Sequence, residues 1–398
     1  PMDPITNPYA PGAGAPPPEL AGRDALIEQV RIATQRIRIG RQAKSVLLVG
    51  LRGVGKTVLL DRMRQDAEAA GMETIRIEAP EGRSLPAMLA PQLRLALLRL
   101  SRRETAKDLA ARGLRALAGF AKSLKLKYAD LEVGIDLDPE PGLADNGDLE
   151  HDLQALLEAT GRAAQAGETA LVLFIDELQY VPEEQLASLV TALHRCAQQQ
   201  VPVVLVGAGL PALPGQMGRA KSYAERLFAF PFIGPLDPTA ARDALEVPAA
   251  ALGVRFEPAA TEAIIAATEG YPYFLQEWGK HAWDVAKASP ITVADVELAA
   301  REAVAALDES FFRVRFDRLT LAEKRYLRAM ADIGPGPHRS GDVADVLGRK
   351  VTAMGPIRAQ LIDKGMVWSP NHGDTAFTVP MFDAYLRRIM PGDAWREG

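Results

Sequence analysis

The 398-residue sequence predicts an α/β protein: a parallel sheet flanked by helices, then a helical unit and a smaller C-terminal domain. Three observations predict it. Ser45–Val49, Thr169–Ile175 and Val201–Val206 are short runs, apolar almost throughout, as strands buried on both faces require. Segments of helical period alternate with them. After Pro238 the strand-like runs stop and four helical segments follow, most opening at Pro, Thr or Asp.

In chain order, residues 1–18 are rich in proline and lack an apolar period, which predicts an extended, partly disordered arm. Gly22–Ile39 reads as a helix, Ser45–Val49 as a strand, Lys56–Ala70 as a helix ended by Gly71, and Thr74–Glu78 as a second strand. Leu85–Leu100 is a leucine-rich helix. Arg99–Lys127 then carries nine basic and two acidic residues, and Tyr128–Asp152 carries nine acidic residues and no Lys or Arg. Within it, Leu131, Val133, Ile135 and Leu137 alternate as a half-buried strand would. This block, about 99–150, reads as an insertion into a core spanning 19–237. Leu149–Gln165 and Glu183–Gln199 are helical around the third strand, and Val201–Val206 is the fourth. Thr239–Leu252, Ala259–Thr268, Tyr273–Lys287 and Thr292–Leu307 form a helical lid, 238–310. The last domain, 311–398, shows three short helices, then strand-like Met366–Ser369 and Thr375–Val379 about a Pro370–Asp374 turn, the outline of a winged helix.

Composition bounds the function. Apolar residues make up 48% and charged residues 24%, enough for a real core, and the net charge of −5 excludes a polycation wrapped on nucleic acid. The single cysteine, Cys196, excludes an intrachain disulfide and a cysteine-cluster metal site. No apolar stretch is long enough to span a bilayer. A cytoplasmic protein is expected.

Gly50-Leu51-Arg52-Gly53-Val54-Gly55-Lys56-Thr57 fits G-x-x-x-x-G-K-[ST], with a strand before it and a helix after it. Glycines let the backbone curl so that several N–H groups face dense phosphate charge, and the following helix adds its positive end. ATP or ADP is the expected ligand, with Gly50, Gly53, Val54, Gly55, Lys56, Thr57 and Val58 as its cradle. Lys56 supplies a cation to the β and γ phosphates, and the Thr57 hydroxyl is placed for Mg²⁺. Leu171–Ile175 ends in Asp176-Glu177 at the strand's carboxyl end, where ligands of open α/β sheets sit. Asp176 is the expected Mg²⁺ partner, and Glu177 the group that orients or deprotonates the attacking water.

Pro18-Glu19-Leu20-Ala21-Gly22-Arg23-Asp24 and Phe174-Ile175-Asp176-Glu177-Leu178-Gln179 resemble the Gly-Arg entry and second acidic motifs of AAA+ ATPases of the origin-recognition type and of related signalling NTPases. The resemblance implies an AAA+-like P-loop ATPase with Gly22 and Arg23 against the adenine. Ser222–Leu227, followed by Phe230-Pro231, resembles the segment that carries an arginine finger. Arg226 would then reach a neighbouring subunit's γ-phosphate in a homo-oligomer; the alternative is a structural arginine paired with Glu225 or a nearby carboxylate. Gly270-Tyr271-Pro272 resembles the signalling branch's Gly-x-Pro motif, which puts Pro272 near the nucleotide; otherwise Pro272 merely starts a helix. The chain departs from the family pattern at Gly207-Ala208-Gly209, where a polar sensor is usual.

Two outputs fit these residues. Between 320 and 390, ten basic residues face seven acidic ones, and Arg349, Lys350, Arg358 and Lys364 cluster at the third helix, as binding to double-stranded DNA would use. The second is a nucleotide-controlled switch that binds a protein partner through the C-terminal domain.

Overall fold

The computed structural model describes residues 2–12, 16–17, 19–79, 81–134 and 136–397. The chain forms two compact units: one is Ala25–Val49 with Leu59–Phe232, the other Pro1–Asp24, Gly50–Val58 and Ile233–Gly398.

The first unit holds a five-stranded parallel sheet. Its strands are β1 (Ser45–Val49), β2 (Glu73–Glu78), β3 (Leu171–Asp176), β4 (Val203–Gly209) and β5 (Phe228–Ala229), in the order β2-β3-β4-β1-β5. β1, β3 and β4 are buried at every residue, which is why their sequences do not alternate. Gly207 of β4 is dictated by packing: a Cβ there would sit 2.5 Å from Leu178 Cδ1 and 2.8 Å from Leu47 Cδ2. Around the sheet run α1 (Asp24–Arg38), α2 (Lys56–Ala69), α3 (Leu85–Leu100), α4 (Lys107–Leu124), α5 (Leu149–Ala166), α6 (Glu183–Gln198), α7 (Leu213–Ala220) and α8 (Ala224–Leu227).

Ser84 caps α3 by accepting from the Ala87 amide at 3.3 Å, and Pro86 suits the first turn, so the helix starts where the sequence says. α4 packs on α3 and α5 through Leu117, Phe120, Leu153 and Leu156, all fully buried, so the basic block hides an apolar face. The strand expected at Leu131–Leu137 does not form among the described residues, and Ile135 lies outside them. Leu131 is buried and Leu137 is 41% exposed, and no neighbouring strand offers the segment a ladder. β5, only two residues long, and the short α7 and α8 carry too few residues to show a period.

The second unit contains α9 (Pro238–Ala250), α10 (Pro258–Thr268), α11 (Pro272–Val285), α12 (Val293–Leu307), a wider π-type turn at Asp308–Phe312, α13 (Arg313–Phe316), α14 (Leu321–Ile333), α15 (Ser340–Val346), α16 (Val351–Asp363) and α17 (Phe382–Ile389). A small antiparallel sheet orders β6 (His338–Arg339), β8 (Asp374–Phe377) and β7 (Val367–Trp368) as β6-β8-β7. Aromatic rings tie the parts together. Phe311 meets Phe274 edge-on at 5.3 Å, and Phe312 stacks on Tyr385 at 5.1 Å.

The described part of the arm is docked, not loose. Met2 N–H donates to Ala286 O at 3.2 Å, Asn7 Nδ2 to Lys280 O at 3.0 Å, and the buried Tyr9 hydroxyl to Leu245 O. Gly279 makes this fit: a Cβ there would lie 2.8 Å from the Tyr9 ring. Residues 1, 13–15 and 18 of the expected arm lie outside the described residues.

Candidate functional site

The glycine loop follows β1 directly and runs into α2. Gly53 and Gly55 hold φ of +80° and +92°, a left-handed curl that turns successive amides to one side. Gly50 has a steric reason: a Cβ would fall 2.2 Å from the Ile233 carbonyl. Lys56, 8% exposed, donates from Nζ to Gly50 O and Leu51 O, both at 2.7 Å. The loop therefore holds its cation over its own carbonyls. A curl of amides around an ammonium fits a phosphate chain, and Thr57 sits one residue on, at the start of α2.

Three groups beyond the motif bind the loop. Arg23 is buried and reaches Val54 O at 3.2 Å and Gly234 O at 2.8 Å; burial lowers its pKa from the usual arginine range. Gly22 before it has φ +71°, and a Cβ would meet Ala240 Cβ at 2.8 Å. The Tyr273 amide, in the first turn of α11, donates to Gly53 O at 3.1 Å, with Pro272 the preceding residue. The Arg52 amide donates to Thr378 O, past the end of β8, at 3.0 Å. The sequence pattern gave no sign of the Tyr273 and Thr378 contacts.

In the sheet unit, Asp176 closes β3 and is 1% exposed. Its Oδ1 accepts the Glu177 amide at 2.8 Å, and its Oδ2 lies 3.6 Å from Arg76 Nη2. Glu177 takes φ 55°, rare for a non-glycine residue, and its Oε2 accepts from Gln179 Nε2. Gln179 Oε1 accepts from the Leu210 amide at 3.1 Å. The end of β4 offers no polar sensor side chain, but Gln179 joins it to the acidic pair. Gly209 leaves that room, since a Cβ would stand 3.0 Å from Gln179 Oε1. Arg226 is exposed on α8; its amide bonds Tyr223 O, and among the described residues it forms no ion pair with Glu225.

A sheet with its first strand between the fourth and fifth, a glycine loop after β1 and an acidic pair closing β3 define a P-loop fold of the AAA+ type. Residues 19–206 match the family model described as AAA ATPase domain, and residues 309–386 match one described as a domain of unknown function (DUF8462). Among solved structures, the chain is similar to the Walker-type ATPase PABY2304 of Pyrococcus abyssi, with 14% identity, a TM-score of 0.57, and 92% of this chain and 96% of that chain covered. It is also similar to Orc1 of Aeropyrum pernix in complex with DNA (18% identity, TM-score 0.46, 94% of each chain) and to the RuvB Holliday junction branch migration motor of Thermotoga maritima (17%, 0.45, 89% and 92%). No curated protein matches the chain significantly. Among the described residues no helix is long and apolar enough to cross a membrane.

Proposed function

We propose that the chain is a Mg²⁺-dependent ATP hydrolase whose nucleotide state is transmitted to its C-terminal domain, which serves a protein partner. The observation that carries this reading is the bonding of the loop itself. Gly53 O is held by the lid helix α11, and the Arg52 amide by Thr378 of the C-terminal domain. A ligand that re-forms the loop alters both bonds.

In this reading Lys56 exchanges its carbonyl partners for the β and γ phosphates, and Thr57 and Asp176 take the metal. Bound Mg²⁺ supplies charge neutralisation along the phosphates. Glu177, oriented by Gln179, accepts the proton of the attacking water. Arg23 and Pro272 line the nucleotide, and Arg226 acts on a neighbouring subunit in a homo-oligomer. The three helices α14, α15 and α16 with the three-stranded sheet support a winged helix within 311–398.

DNA binding, the first reading of the sequence, becomes the second here; exposed Arg339, Arg349 and Lys350 support it. The structure turns the other two expected contacts inward. Arg358 Nε donates to Thr375 Oγ1 at 2.7 Å, and Lys364 Nζ lies 2.8 Å from Glu323. The exposed residues of α16 are Val351, Thr352, Ala353, Gly355, Pro356, Ala359, Gln360 and the acidic Asp363, with no cation among them, where a groove-reading helix needs cations and hydrogen-bond donors.

Lys56→Ala is expected to weaken ATP binding about 100-fold by calorimetry. Glu177→Gln should bind ATP and fail to turn it over; hydrolysis equal to wild type would remove Glu177 from the mechanism. Hydrogen exchange at residues 366–378 should rise when ATP replaces ADP. Unchanged exchange, together with a salt-sensitive mobility shift of duplex DNA, would favour the second reading.

A further inference from the structure

A groove lies beside the outer strand of the sheet, and only its Arg76 touches a residue assigned above. Its volume is about 440 Å³, within the range of small-molecule sites. Arg64 of α2, Arg76 of β2, Arg99 of α3 and Arg103 line it with Glu68 and Glu73, an excess of two positive charges in the lining, and Asp61 and Asp176 stand behind it on Arg76.

The guanidiniums are held in place. Arg99 Nε lies 2.8 Å from Glu73, and its Nη2 donates to Thr74 O at 3.0 Å. Arg103 Nη1 donates to Gly167 O at 2.7 Å, and Arg64 Nη1 lies 2.7 Å from Glu68. A guanidinium has five N–H donors, so each of these keeps donors beyond those bonds. Planar forks already fixed by their neighbours suit oxyanions, because little side-chain entropy remains to be lost. An added peptide strand is a poorer occupant: β2 is an edge strand, but Arg99 already takes its Thr74 carbonyl.

We propose that this groove binds a small phosphorylated polyanion, a molecule bearing a diphosphate or longer phosphate chain, and that Arg76 reports its presence to Asp176. Arg76 belongs to the groove lining, yet its Nη2 lies 3.6 Å from the Asp176 carboxylate while its Nε lies 3.0 Å from Asp61. A cation beside a metal-binding carboxylate weakens the carboxylate's hold on a divalent ion. An anion on Arg76 relieves that competition. This second half rests on the reading of Asp176 as a Mg²⁺ ligand; the binding site itself does not.

The test uses inorganic pyrophosphate and full-length Lys56→Ala protein, in which the glycine loop no longer competes for the probe. Calorimetry at low salt should find one pyrophosphate site. The double variant Arg99→Gln/Arg103→Gln, built on Lys56→Ala, should weaken it about tenfold or more. Gln92→Glu adds a negative charge to the groove lining and leaves the arginine ion pairs intact, so it decides the matter if the arginine variant folds poorly; it too should weaken binding about tenfold. No pyrophosphate binding to Lys56→Ala, or equal affinity in all three proteins, overturns the site. For the second half, Arg76→Gln should lower the Mg²⁺ concentration that half-saturates ATP hydrolysis. An unchanged value breaks the link to Asp176, and a protein without ATPase activity refutes the ATPase reading while leaving the pyrophosphate result to stand.

Discussion

Two loop glycines are required for different reasons. At Gly50 the obstacle is steric, a backbone oxygen 2.2 Å from any Cβ, so Gly50→Ala must displace the chain. At Gly53 a Cβ would find ordinary contact, 3.4 Å from Phe311 and Tyr273, and the cost is torsional at φ +80°. Left-handed backbone costs a non-glycine residue about 1–2 kcal/mol. Gly53→Ala should therefore lower stability by about 1–2 kcal/mol in denaturant unfolding, whereas Gly50→Ala, which has to move a backbone carbonyl, should cost more. The loop was legible in the sequence because glycine, lysine and threonine each have one dominant reason to occur at that spacing. Arg76, Tyr273 and Thr378 were not, because their contacts are made by chain folding back from a distance, two of them through backbone atoms that any residue carries.

Among elements, the helix boundaries read best where a cap and a proline agree, as at Ser84 and Pro86 of α3. The failed strand at Leu131–Leu137 shows the limit of alternation: a period of two says which side chains share a face, but it cannot supply a partner with free amides. α16 teaches the same lesson about charge. Arg358 and Lys364 count as basic in a sequence, and in the fold they brace the hairpin and α14. Glu323 is the receiving group. Burial raises its pKa, but the Lys364 ammonium and the Thr320 cap outweigh that and hold the carboxyl below the usual glutamate range. A depressed folded pKa stabilises above the unfolded value, about 4.3, and that stabilisation is lost as pH falls through the folded value. Glu323→Gln should cost about 2 kcal/mol at pH 7, and the difference from wild type should shrink below pH 4 in denaturant titrations.

For the molecule as a whole, the arm is the part composition misjudged. Proline-rich sequence without a period predicts freedom, yet one aromatic side chain anchors it. Tyr9 is 4% exposed, and burial pushes its phenol well above the ordinary range, so it remains a donor to Leu245 O at every working pH. Tyr9→Ala should destabilise the helical unit by about 3–5 kcal/mol in urea unfolding, and Tyr9→Phe by about 1 kcal/mol. Gly279→Ala should approach the first value, since the added methyl has only the ring to displace. The sheet, the helices after Pro238 and the turn at the glycine loop followed from apolar periodicity and glycine chemistry, which act locally. The docking of the arm depends on a cleft formed by residues some 240 to 280 positions further along.

The bond from the Arg52 amide to Thr378 O has a thermodynamic corollary. A guest that claims this amide does so in competition with the chain's own carbonyl, so its apparent affinity is reduced by the free energy of that internal tie. Coupling of this kind is reciprocal. Whatever pulls Thr378 away from outside must then tighten the guest by the same factor, and a partner could set nucleotide affinity without touching the nucleotide.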